Sequence, residues 1–456
     1  MPYGKVAIAL YIPKSAQLII DRLECSGFEA YLVGGCVRDS LLGLQPEDYD
    51  ICTSAPPRQI LECFKDYTVI ETGIKHGTVT VVIEGKSFEV TTFRADGTYS
   101  DNRRPDSVTF VKSLKEDLAR RDFTINALAF NSRVGLVDYF GGRNDLDRQL
   151  VRCVGNPRER FQEDALRIIR ALRFCSTLNF NLEPETFRAA VELKSLLKYI
   201  ANERISSEFN KLLLGKGVKP VLLNCHEILS VIIPEISQMI GFIQNNPWHH
   251  LNVWEHTAQT VTSAPPDLIV RLTMLFHDMA KPKCYTVDSK GIGHFKGHQK
   301  ASAEIAQKRL RQLRYDNKTI ELVTKLVLYH DDEIIADEKH IKRWLSRFGE
   351  ENFRRLIEVK RADRLGQNPH KVSDSLKALG RILEMLDQII KEGKCFRLRD
   401  LAINGHDLIA IGFKEGRDIG ICLNELLNLV MEDKLPNEKK VLLEYAENLW
   451  KNKKPL

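Results

Sequence analysis

A change in hydrophobic pattern near residue 157 constrains the fold of this 456-residue chain most strongly. Between residues 29 and 150, short runs rich in Val, Ile, Thr and Phe are bounded by Gly or polar residues, and such runs predict strands. They read EAYLVGG, DYDICT, GTVTVVI and KSFEVTTF, with helical stretches between them. After residue 157 the strand pattern fades and helical periodicity takes over. The sequence therefore predicts an α+β fold, with a mixed sheet and helices at the N-terminus and all-α domains after it.

Chain length and local composition predict further divisions. A chain of this length is expected to form two to four domains. Nine of the twelve histidines lie between His249 and His370, which indicates a separate metal-binding module. We predict four domains. They are a catalytic head at residues 1–150, a helical neck that binds RNA and nucleotide at 151–245, a histidine-rich module at 246–371 and a helical tail that binds tRNA at 372–456.

Composition narrows the class of protein without fixing its activity. The formal net charge is +6 and the sequence pI is about 8.6, which permits an RNA partner but does not demand one. The ten cysteines form no CxxC pair and sit in apolar runs, which predicts buried thiols rather than disulfides or a zinc ribbon. We see no signal-peptide pattern and no apolar run of about 18 residues, so we expect a cytoplasmic protein without a membrane partner.

Two shorter segments have a predicted local structure. Residues 1–30 have the pattern of an amphipathic helix that ends near Gly27. The stretch 94–107, RADGTYSDNRRPDS, is polar and contains glycine, which predicts a mobile loop.

A pair of glycines stands between a predicted strand and a predicted helix in LVGGCVRDSLLG. Gly34 and Gly35 would let the backbone approach a phosphate closely, and the following helix would offer free N–H groups. Arg38 and Asp39 come directly afterwards. A Gly-Gly turn alone is more often only a turn, so a phosphate-binding role requires a second motif nearby.

Two aspartates come about ten residues later, in the segment EDYDI. Asp48 and Asp50 are two residues apart, so on a strand they would project from the same face. Neighbouring carboxylates repel each other unless a divalent cation lies between them. The pair therefore predicts either a metal site or a solvated turn.

The two motifs together resemble the signature of the polymerase-β-like nucleotidyltransferases. In that superfamily a third carboxylate comes from a neighbouring strand, and Glu89 in SFEVTTFR is the best candidate. Two Mg²⁺ ions held by Asp48, Asp50 and Glu89 would activate an attacking hydroxyl and neutralise a leaving pyrophosphate.

All the Lys and Arg residues between positions 120 and 173 are arginine, with eleven Arg and no Lys. The planar guanidinium suits phosphates and base edges better than a point charge does. The segment RRDFTINA is predicted to begin a helix. On a second predicted helix Asp164 and Arg167 are three residues apart and therefore neighbours, with Arg170 further along. Asp164 and Arg167 could jointly bond the Watson–Crick edge of cytosine or adenine, or form an ordinary salt bridge.

Taken together, these segments resemble the class II CCA-adding enzymes, the bacterial tRNA nucleotidyltransferases. The resemblance covers roughly residues 25–215 and a closing segment that begins LAINGHDLIAIGF. It rests on LVGGCVRDSLLG, DYD, GIKHGTVTVV, EVTTFRADG, RRPDSVTFV, DYFGG and RFQEDALRIIRALRF. It implies head, neck, body and tail domains, with tRNA as acceptor and CTP and ATP as substrates.

The resemblance also implies roles for individual residues. Asp48 and Asp50 would hold the Mg²⁺ ions of the head. The nucleotide-binding residues would be Gly35 and Arg38 on the triphosphate, Arg121 and Asp122 on the sugar or phosphate, Asp164 and Arg167 as an amino-acid template for the base, and Arg170 and Arg173 on the nucleotide phosphates.

The histidine-rich block departs from the usual all-helical body of that family. Its segments WEHT, LFHDMAKP, GHQKAS, LYHDDE and RADRLGQ resemble an HD-domain phosphohydrolase. A single histidine is more often structural, but this ordered series favours a metal site with one or two ions. Mixed nitrogen and oxygen ligands suit Mg²⁺ or a divalent transition metal better than a structural zinc. The predicted ligands are His256, His277, Asp278, His298, His330 and Asp363.

The sequence thus predicts template-independent addition of CCA, from CTP and ATP, to the 3′ end of tRNA. An A-adding enzyme, a CC-adding enzyme and a poly(A) polymerase are the alternatives. Because CC-adding relatives usually lack a loop like the one predicted at 94–107, the resemblance favours full CCA or A addition. The histidine-rich module is hypothesised to hydrolyse phosphoesters such as 2′,3′-cyclic phosphates at damaged RNA ends. A non-catalytic tRNA-binding protein and an enzyme that acts mainly as a phosphohydrolase are more distant alternatives.

Overall fold

The computed structural model describes residues 10–97 and 108–453. Contacts within the chain separate it into two units. The first runs to Ser237 and includes Arg311–Tyr315, and the second comprises Gln238–Leu310 and continues from Asp316. The predicted boundary at 245 lies close to this division, whereas the predicted boundary at 150 falls inside the first unit. The finer division into four domains stays a prediction.

The predicted β-rich runs all form strands in the first unit. Their Val, Ile, Thr and Phe side chains pack well on a pleated, half-buried surface, as the alternating burial of the longest strands shows. The strands are β1 Ala30–Val33, β2 Ile51–Thr53, β3 Thr68–Ile70, β4 Thr78–Ile83, β5 Lys86–Thr92, β6 Arg94–Asp96, β7 Val108–Phe110, β8 Leu128–Asn131, β9 Gly135–Asp138, β10 Leu150–Val151 and β11 Asn181–Leu182.

Seven of the described strands form one sheet in the order β3-β4-β5-β2-β1-β8-β9. In it β2 and β5 pair in parallel, with Ile51 opposite Val90, and the other neighbours pair antiparallel. The predicted mixed sheet is therefore confirmed. The parallel pair matters most for function, because it aligns the chain before β2 with the start of β5.

The helix predicted over residues 1–30 is shorter in the structure. Helix α1 spans Lys14–Cys25 and buries Ile19, Ile20 and Leu23 on one face. The chain turns soon after it at Gly27, whose φ of 85° suits glycine. Residues 1–9 lie outside the described residues.

The stretch 94–107 begins as a strand rather than as the predicted loop. Strand β6 pairs antiparallel with β7, so that Arg94 lies opposite Phe110. Residues 98–107, on which most of the loop prediction falls, lie outside the described residues.

Short helices complete the first unit, and proline or a capping side chain fixes the start of several of them. Asn156 accepts a hydrogen bond from the backbone of Arg158, and Pro157 occupies the first turn of its helix. These helices are α2 Gly35–Leu41, α3 Pro57–Cys63, α4 Leu114–Ala119, α5 Gly142–Asp147, α6 Pro157–Glu163, α7 Leu166–Leu178, α8 Pro184–Glu192, α9 Asn202–Leu214, α10 Val218–Asn224 and α11 His226–Ile232, with α12 Ile236–Met239 at the boundary.

The second unit is helical apart from one short hairpin, in agreement with the all-α prediction. Its core includes Phe353, Leu356 and Leu386, which are fully buried. Its helices are α13 Val253–Ser263, α14 Leu268–Phe276, α15 His298–Gln312, α16 Asn317–Tyr329, α17 Glu338–Phe348, α18 Glu350–Leu365, α19 Ser373–Lys391, α20 Gly405–Ala410, α21 Arg417–Met431 and α22 Lys439–Lys453, and strands β12 Thr286–Val287 and β13 Gly293–His294 form the hairpin. Among residues 10–97 and 108–453, we find no helix with the length and apolar character that a membrane crossing requires.

Candidate active site and candidate metal centre

The Gly-Gly motif forms the tight connection between β1 and α2. Gly34 has a φ of 77°, and its backbone N–H donates to the carbonyl of Leu128 on β8 at 3.1 Å. A Cβ atom at this position would lie 3.1 Å from Nη1 of Arg121. Glycine is therefore required here both by the left-handed backbone and by the close approach of an arginine.

Three predicted carboxylates lie near one another at the start of the parallel strand pair. Asp48 and Asp50 lie in the segment that leads into β2, and not on the strand itself as the sequence had predicted. Continuing the β2–β5 register by one residue places Asp50 opposite Glu89. Strand β2 is only three residues long, and pairing in the sheet begins at Ile51, directly after Asp50. The sheet thus brings together residues that are about forty positions apart in sequence.

Desolvation and the neighbouring negative charges make this group of carboxylates a candidate cation site. Desolvation raises the pKa of Asp50 to about 6, with further contributions from the charges of Glu89 and Asp48, whereas Arg121 lowers it. A carboxylate disfavoured in this way gains more than an isolated one when a cation binds beside it.

Arg121 lies near the carboxylate of Asp50, but it follows a helix and does not begin one as the sequence predicted. Arg120 ends helix α4, and Arg121 comes next, so the segment RRDFTINA does not begin a helix. Both arginines bond the buried carboxylate of Asp117, at 2.8 Å from Arg120 and 3.4 Å from Arg121. Ser113 caps α4, and the helix ends after six residues, which leaves Arg121 beside Gly34.

A network of hydrogen bonds and one ion pair links the Gly-Gly motif to helix α7. Arg38 donates to the side-chain oxygen of Asn126 at 2.6 Å, and Asn126 donates to Asp122 at 3.0 Å. The other oxygen of Asp122 accepts from Nε and Nη2 of Arg170 at 3.0 and 2.7 Å. Burial alone would raise the pKa of Asp122, but Arg170 and Asn126 hold it down to about 2.

Helix α9 contributes a carboxylate that the sequence did not identify. Glu208 is buried and pairs with Arg170 at 3.2 Å and with Arg173 at 2.9 Å. Three guanidinium groups, those of Arg38, Arg170 and Arg173, lie 5.1, 5.7 and 3.8 Å from the ring centre of Phe174. Desolvation lowers the pKa of Arg173 to about 10 despite the neighbouring Glu208. The predicted arginines therefore converge, although their acidic partners come from distant parts of the chain.

Asp122→Asn is expected to destabilise the protein by roughly 2 kcal/mol, because it removes one charge from a buried ion pair. A carboxylate whose pKa is depressed stabilises the fold above its unfolded pKa, near 4, and this contribution is lost as the pH falls towards about 2. Denaturant unfolding between pH 2 and pH 7 measures the effect. The difference between the wild type and Asp122→Asn should shrink over the acid range. Asp147→Asn, at an exposed pair with Arg143, is the control and should show no such difference.

The predicted pairing of Asp164 with Arg167 on one helix is wrong in its local structure. Asp164 is extended, with φ −138° and ψ 101°, and it separates α6 from α7. Its carboxylate accepts from the backbone N–H of Leu166 at 3.1 Å and from Arg204 at 3.0 Å. An aspartate favours such a break because its side chain competes with the helix for backbone donors.

Arg167 lies in the first turn of α7 and is 8% exposed. Its Nη1 pairs with Glu163 at 2.7 Å, and its Nη2 donates to the carbonyl of Arg120 at 3.0 Å. Asp164 and Arg167 thus remain near each other in the chain, but each side chain is positioned by partners other than its predicted one.

The six residues of the predicted HD centre are brought together in the second unit. His256 comes from α13, His277 and Asp278 follow α14, and Asp363 lies on α18. His298 begins α15, and His330 ends α16. All six are buried. Five helices therefore contribute to one polar site inside an otherwise apolar unit.

Four of these residues are histidines, and backbone carbonyls orient them all in the same way. In each of them Nδ1 lies within hydrogen-bond distance of a backbone carbonyl. The pairs are His256 with Gly366 at 3.0 Å, His277 with Met274 at 2.6 Å, His298 with Phe295 at 2.8 Å and His330 with Val327 at 2.7 Å. Since a carbonyl only accepts, each Nδ1 carries a proton. Each Nε2 then turns a lone pair towards the centre when the imidazole is neutral, which is the arrangement of metal-binding histidines.

Two groups of ligand atoms share one carboxylate. His256, His277 and Asp278 form one group, and Asp278, His298 and His330 form the other, with all ligand atoms of each group within 4.8 Å of one another. The Nε2 atoms of His256 and His277 are 3.2 Å apart, and those of His298 and His330 are 3.3 Å apart. Lone pairs at such distances repel unless a proton or a metal ion lies beside them. If each group held an ion, Asp278 would be the ligand that both ions share.

Asp278 is buried beside groups that can carry a positive charge. Its Oδ2 lies 2.7 Å from the ammonium of Lys281 and 3.2 Å from Nε2 of His277. Burial would lower the pKa of His277, but Asp278 and Asp363 raise it to about 10. Burial and the charge of His277 lower the pKa of His330 to about 3. The cluster sets two buried carboxylates among four imidazoles, and such a set of oxygen and nitrogen donors fits a divalent metal ion.

A cavity of about 570 Å³ opens onto this centre from within the second unit. Asp278, His298, His330 and Asp363 line it, together with Trp248 and other residues that the sequence did not single out. Its volume is in the range of small-ligand sites. The centre is therefore accessible to a small substrate.

Three family models match parts of the chain. They are described as "Poly A polymerase head domain", over residues 30–152, "Probable RNA and SrmB- binding site of polymerase A", over residues 179–240, and a second domain of tRNA nucleotidyltransferases, over residues 297–446. The first contains the Gly-Gly motif and the carboxylates of the sheet.

Curated relatives and solved structures match over nearly the full length. The CCA-adding enzyme of Limosilactobacillus fermentum is 37% identical over 451 residues, which covers 96% of this chain and 97% of that protein. The crystal structure of the Bacillus stearothermophilus CCA-adding enzyme in complex with CTP is 29% identical, with a TM-score of 0.70 and coverage of 96% and 97%. The Thermotoga maritima CCA-adding enzyme complexed with tRNA shares the fold at 19% identity, with a TM-score of 0.59 and coverage of 98% of each chain.

Proposed function

The chain belongs to the CCA-adding enzyme family of nucleotidyltransferases, and from this membership we propose that it adds CCA to the 3′ end of tRNA from CTP and ATP. The observation that carries the proposal is the meeting of Asp48, Asp50 and Glu89 beside Arg121 and the Gly34 turn. The alternatives of A addition, CC addition and poly(A) synthesis are not favoured, because the full-length relatives are CCA-adding enzymes.

The proposed reaction is a phosphoryl transfer in the first unit. The 3′-hydroxyl oxygen of the RNA forms a bond to the α-phosphorus of the nucleotide, the bond to the β-phosphate oxygen breaks, and pyrophosphate leaves. Mg²⁺ bound there would favour ionisation of the hydroxyl and neutralise the charge of the leaving group. Asp48 and Asp50, with Glu89, would hold Mg²⁺, and their mutual repulsion favours such binding.

The arginines of the same unit would bind the nucleotide. Arg38 and Arg121 flank the glycine turn, where the backbone can approach the triphosphate, and Gly35 begins the next helix. Arg170 and Arg173 would contact nucleotide phosphates, and their pairing with Asp122 and Glu208 holds them in place before substrate binds. Guanidinium groups fixed in this way lose little entropy when they bind a phosphate.

Base selection is proposed to lie with Asp164 and Arg167, at the junction of α6 and α7. An acceptor and a fork of donors suit the Watson–Crick edges of cytosine and adenine. Arg204 and Glu163 hold the two side chains, so they would present a fixed pattern to the incoming base.

Arg167→Ala is expected to relax the choice between the correct and the incorrect nucleotide roughly tenfold to hundredfold, the range for loss of a bidentate base contact. The rate with the correct nucleotide should fall less. Single-turnover incorporation of CTP, ATP, UTP and GTP on tRNA that ends before CCA measures both. Arg143→Ala, at a surface pair, is the control. Unchanged discrimination in Arg167→Ala would contradict the template role.

A second activity is proposed for the centre in the second unit, where His256, His277, Asp278, His298, His330 and Asp363 would hold one or two divalent ions. Bound ions would supply a hydroxide nucleophile and polarise a phosphate. The proposed substrate is a phosphoester such as a 2′,3′-cyclic phosphate at a damaged RNA end. Addition of water opens the ring to a monophosphate, and a second hydrolysis releases inorganic phosphate and frees the hydroxyl. The shared carboxylate of Asp278 is the observation that favours this activity.

A further inference from the structure

A tryptophan stands at the opening of the cavity above the candidate metal centre. Trp248 lines this cavity and is 50% exposed. Tryptophan combines a large apolar ring with a polar N–H group and is enriched at binding interfaces. Its position on the cavity wall therefore makes the indole a candidate contact for a ligand.

The backbone around Trp248 is fixed from both sides. The side-chain oxygen of Asn246 accepts the N–H of Trp248 at 3.0 Å, and the carbonyl of Asn246 accepts the N–H of His249 at 2.9 Å. A segment distant in sequence also holds this turn, since the N–H of Asn368 donates to the carbonyl of Trp248 at 2.9 Å. The indole is thus presented by a fixed turn and not by a free loop.

The surroundings of Trp248 also suit a phosphorylated ligand. The ammonium of Lys371 lies 5.2 Å from the centre of its ring, and Lys296 and Arg364 line the same cavity. The Lys371 ammonium makes a cation–π contact with the indole, and lysine and arginine side chains attract a phosphate. Four of the six candidate metal ligands lie on the cavity wall, so one ligand could reach both the aromatic ring and the centre.

We propose that Trp248 is the base platform of this cavity, so that the centre takes phosphoesters carried on a nucleoside in preference to other small phosphoesters. The proposal rests on the proposed phosphoester activity and adds a specificity-determining residue to it. Aromatic rings bind all four bases through their faces, so the platform would select for a nucleobase and not for one base over another. The cavity volume of about 570 Å³ suits a single terminal nucleotide.

The positions of the tryptophans make binding measurable by fluorescence. The chain has four tryptophans, Trp248, Trp254, Trp344 and Trp450, and all belong to the second unit. In the full-length protein with Mg²⁺, adenosine monophosphate should quench the fluorescence, whereas ribose 5-phosphate should not. Trp248→Phe should remove the quenching. Trp344→Phe, at a residue packed among aromatic side chains, is the matched control and should keep it.

Affinity is measured separately, as inhibition of the hydrolysis of a chromogenic phosphodiester. Trp248→Ala should weaken inhibition by adenosine monophosphate about tenfold, which is the order expected for loss of one stacked base. Trp248→Phe should restore it, and the inhibition constant of ribose 5-phosphate should not change in either variant. A merely structural role for Trp248 would alter both inhibitors alike.

The outcomes separate the platform from the activity on which it rests. Equal binding of adenosine monophosphate and ribose 5-phosphate, or quenching that survives in Trp248→Phe, overturns the platform even if phosphoesters are hydrolysed. Absence of hydrolysis with every metal tested overturns the proposed activity, and in that case the fluorescence titration alone decides whether Trp248 binds a base.

Discussion

Asp50→Asn is expected to reduce nucleotide incorporation roughly a thousandfold, because several kcal/mol of metal-dependent charge stabilisation in the transition state would be lost. Asp50 stands opposite Glu89 across the parallel strands, and desolvation, with the charges of Glu89 and Asp48, raises the pKa of its carboxylate. An amide keeps the shape of the side chain but binds divalent ions weakly. The measurement is single-turnover incorporation of labelled CTP into tRNA that lacks its terminal CCA.

The fold should not suffer from this substitution. Removing one of several repelling carboxylates relieves electrostatic strain, so the unfolding free energy should be unchanged or slightly higher. Glu47→Gln is the matched control, since it removes a neighbouring exposed carboxylate that lies outside the group. Wild-type incorporation by Asp50→Asn would contradict the assignment of this site, as would an equal loss in Glu47→Gln.

Asp278→Asn is expected to remove the metal-binding capacity of both halves of the centre in the second unit. Each candidate group of ligands includes Asp278, so one substitution should empty two sites. Elemental analysis after dialysis against Mn²⁺ or Ni²⁺ should show near-complete loss of bound metal. Hydrolysis of 2′,3′-cyclic nucleotides should fall by a factor of roughly a thousand, since a metal-activated nucleophile would be lost.

Nucleotide addition provides the internal control for this variant. The proposed site of this reaction is in the first unit, so Asp278→Asn should retain nucleotide addition, and retention would also show that the full-length protein is folded. Asp331→Asn removes an exposed carboxylate that lines the same cavity but belongs to neither ligand group, and it should keep its metal. Metal content that survives in Asp278→Asn would refute the shared-ligand arrangement.

Much of the first unit could be predicted because its signals are local. Runs of β-branched residues predicted the strands, and the Gly-Gly motif predicted the turn between β1 and α2. Spacing indicated that Asp48 and Asp50 act together, although they precede β2 and do not lie on it. Their position opposite Glu89 depends on the strand order β5-β2-β1, which no local pattern specifies.

The errors in the arginine-rich region have a common physical origin. Helical periodicity continues through Asp164, yet the side chain of this residue bonds the backbone of Leu166 and ends one helix before the next begins. The charged pair Arg120 and Arg121 suggested the start of a helix. In the structure both arginines pair with Asp117 at the end of α4. Long-range partners such as Glu208 decide these positions, and sequence spacing carries no information about them.

The second unit shows the same contrast. The order of histidines and aspartates predicted six residues that the fold does bring together, although their role as metal ligands stays a proposal. The backbone carbonyls that orient the imidazoles, including those of Met274 and Gly366, leave no mark in the sequence, because every residue type has a carbonyl. Trp248 was not identified either, since an isolated tryptophan in a polar segment has no periodic signal.

The central claim is that the first unit of this chain builds CCA on tRNA. The most direct measurement is to incubate the full-length protein with CTP, ATP and Mg²⁺ and a tRNA that ends at the discriminator nucleotide, and then to sequence the 3′ ends of the products. We predict that products ending in CCA accumulate, that CC accumulates when ATP is omitted, and that addition stops after the terminal A. Addition of A alone, of CC alone when both nucleotides are present, or of a poly(A) run would contradict this claim.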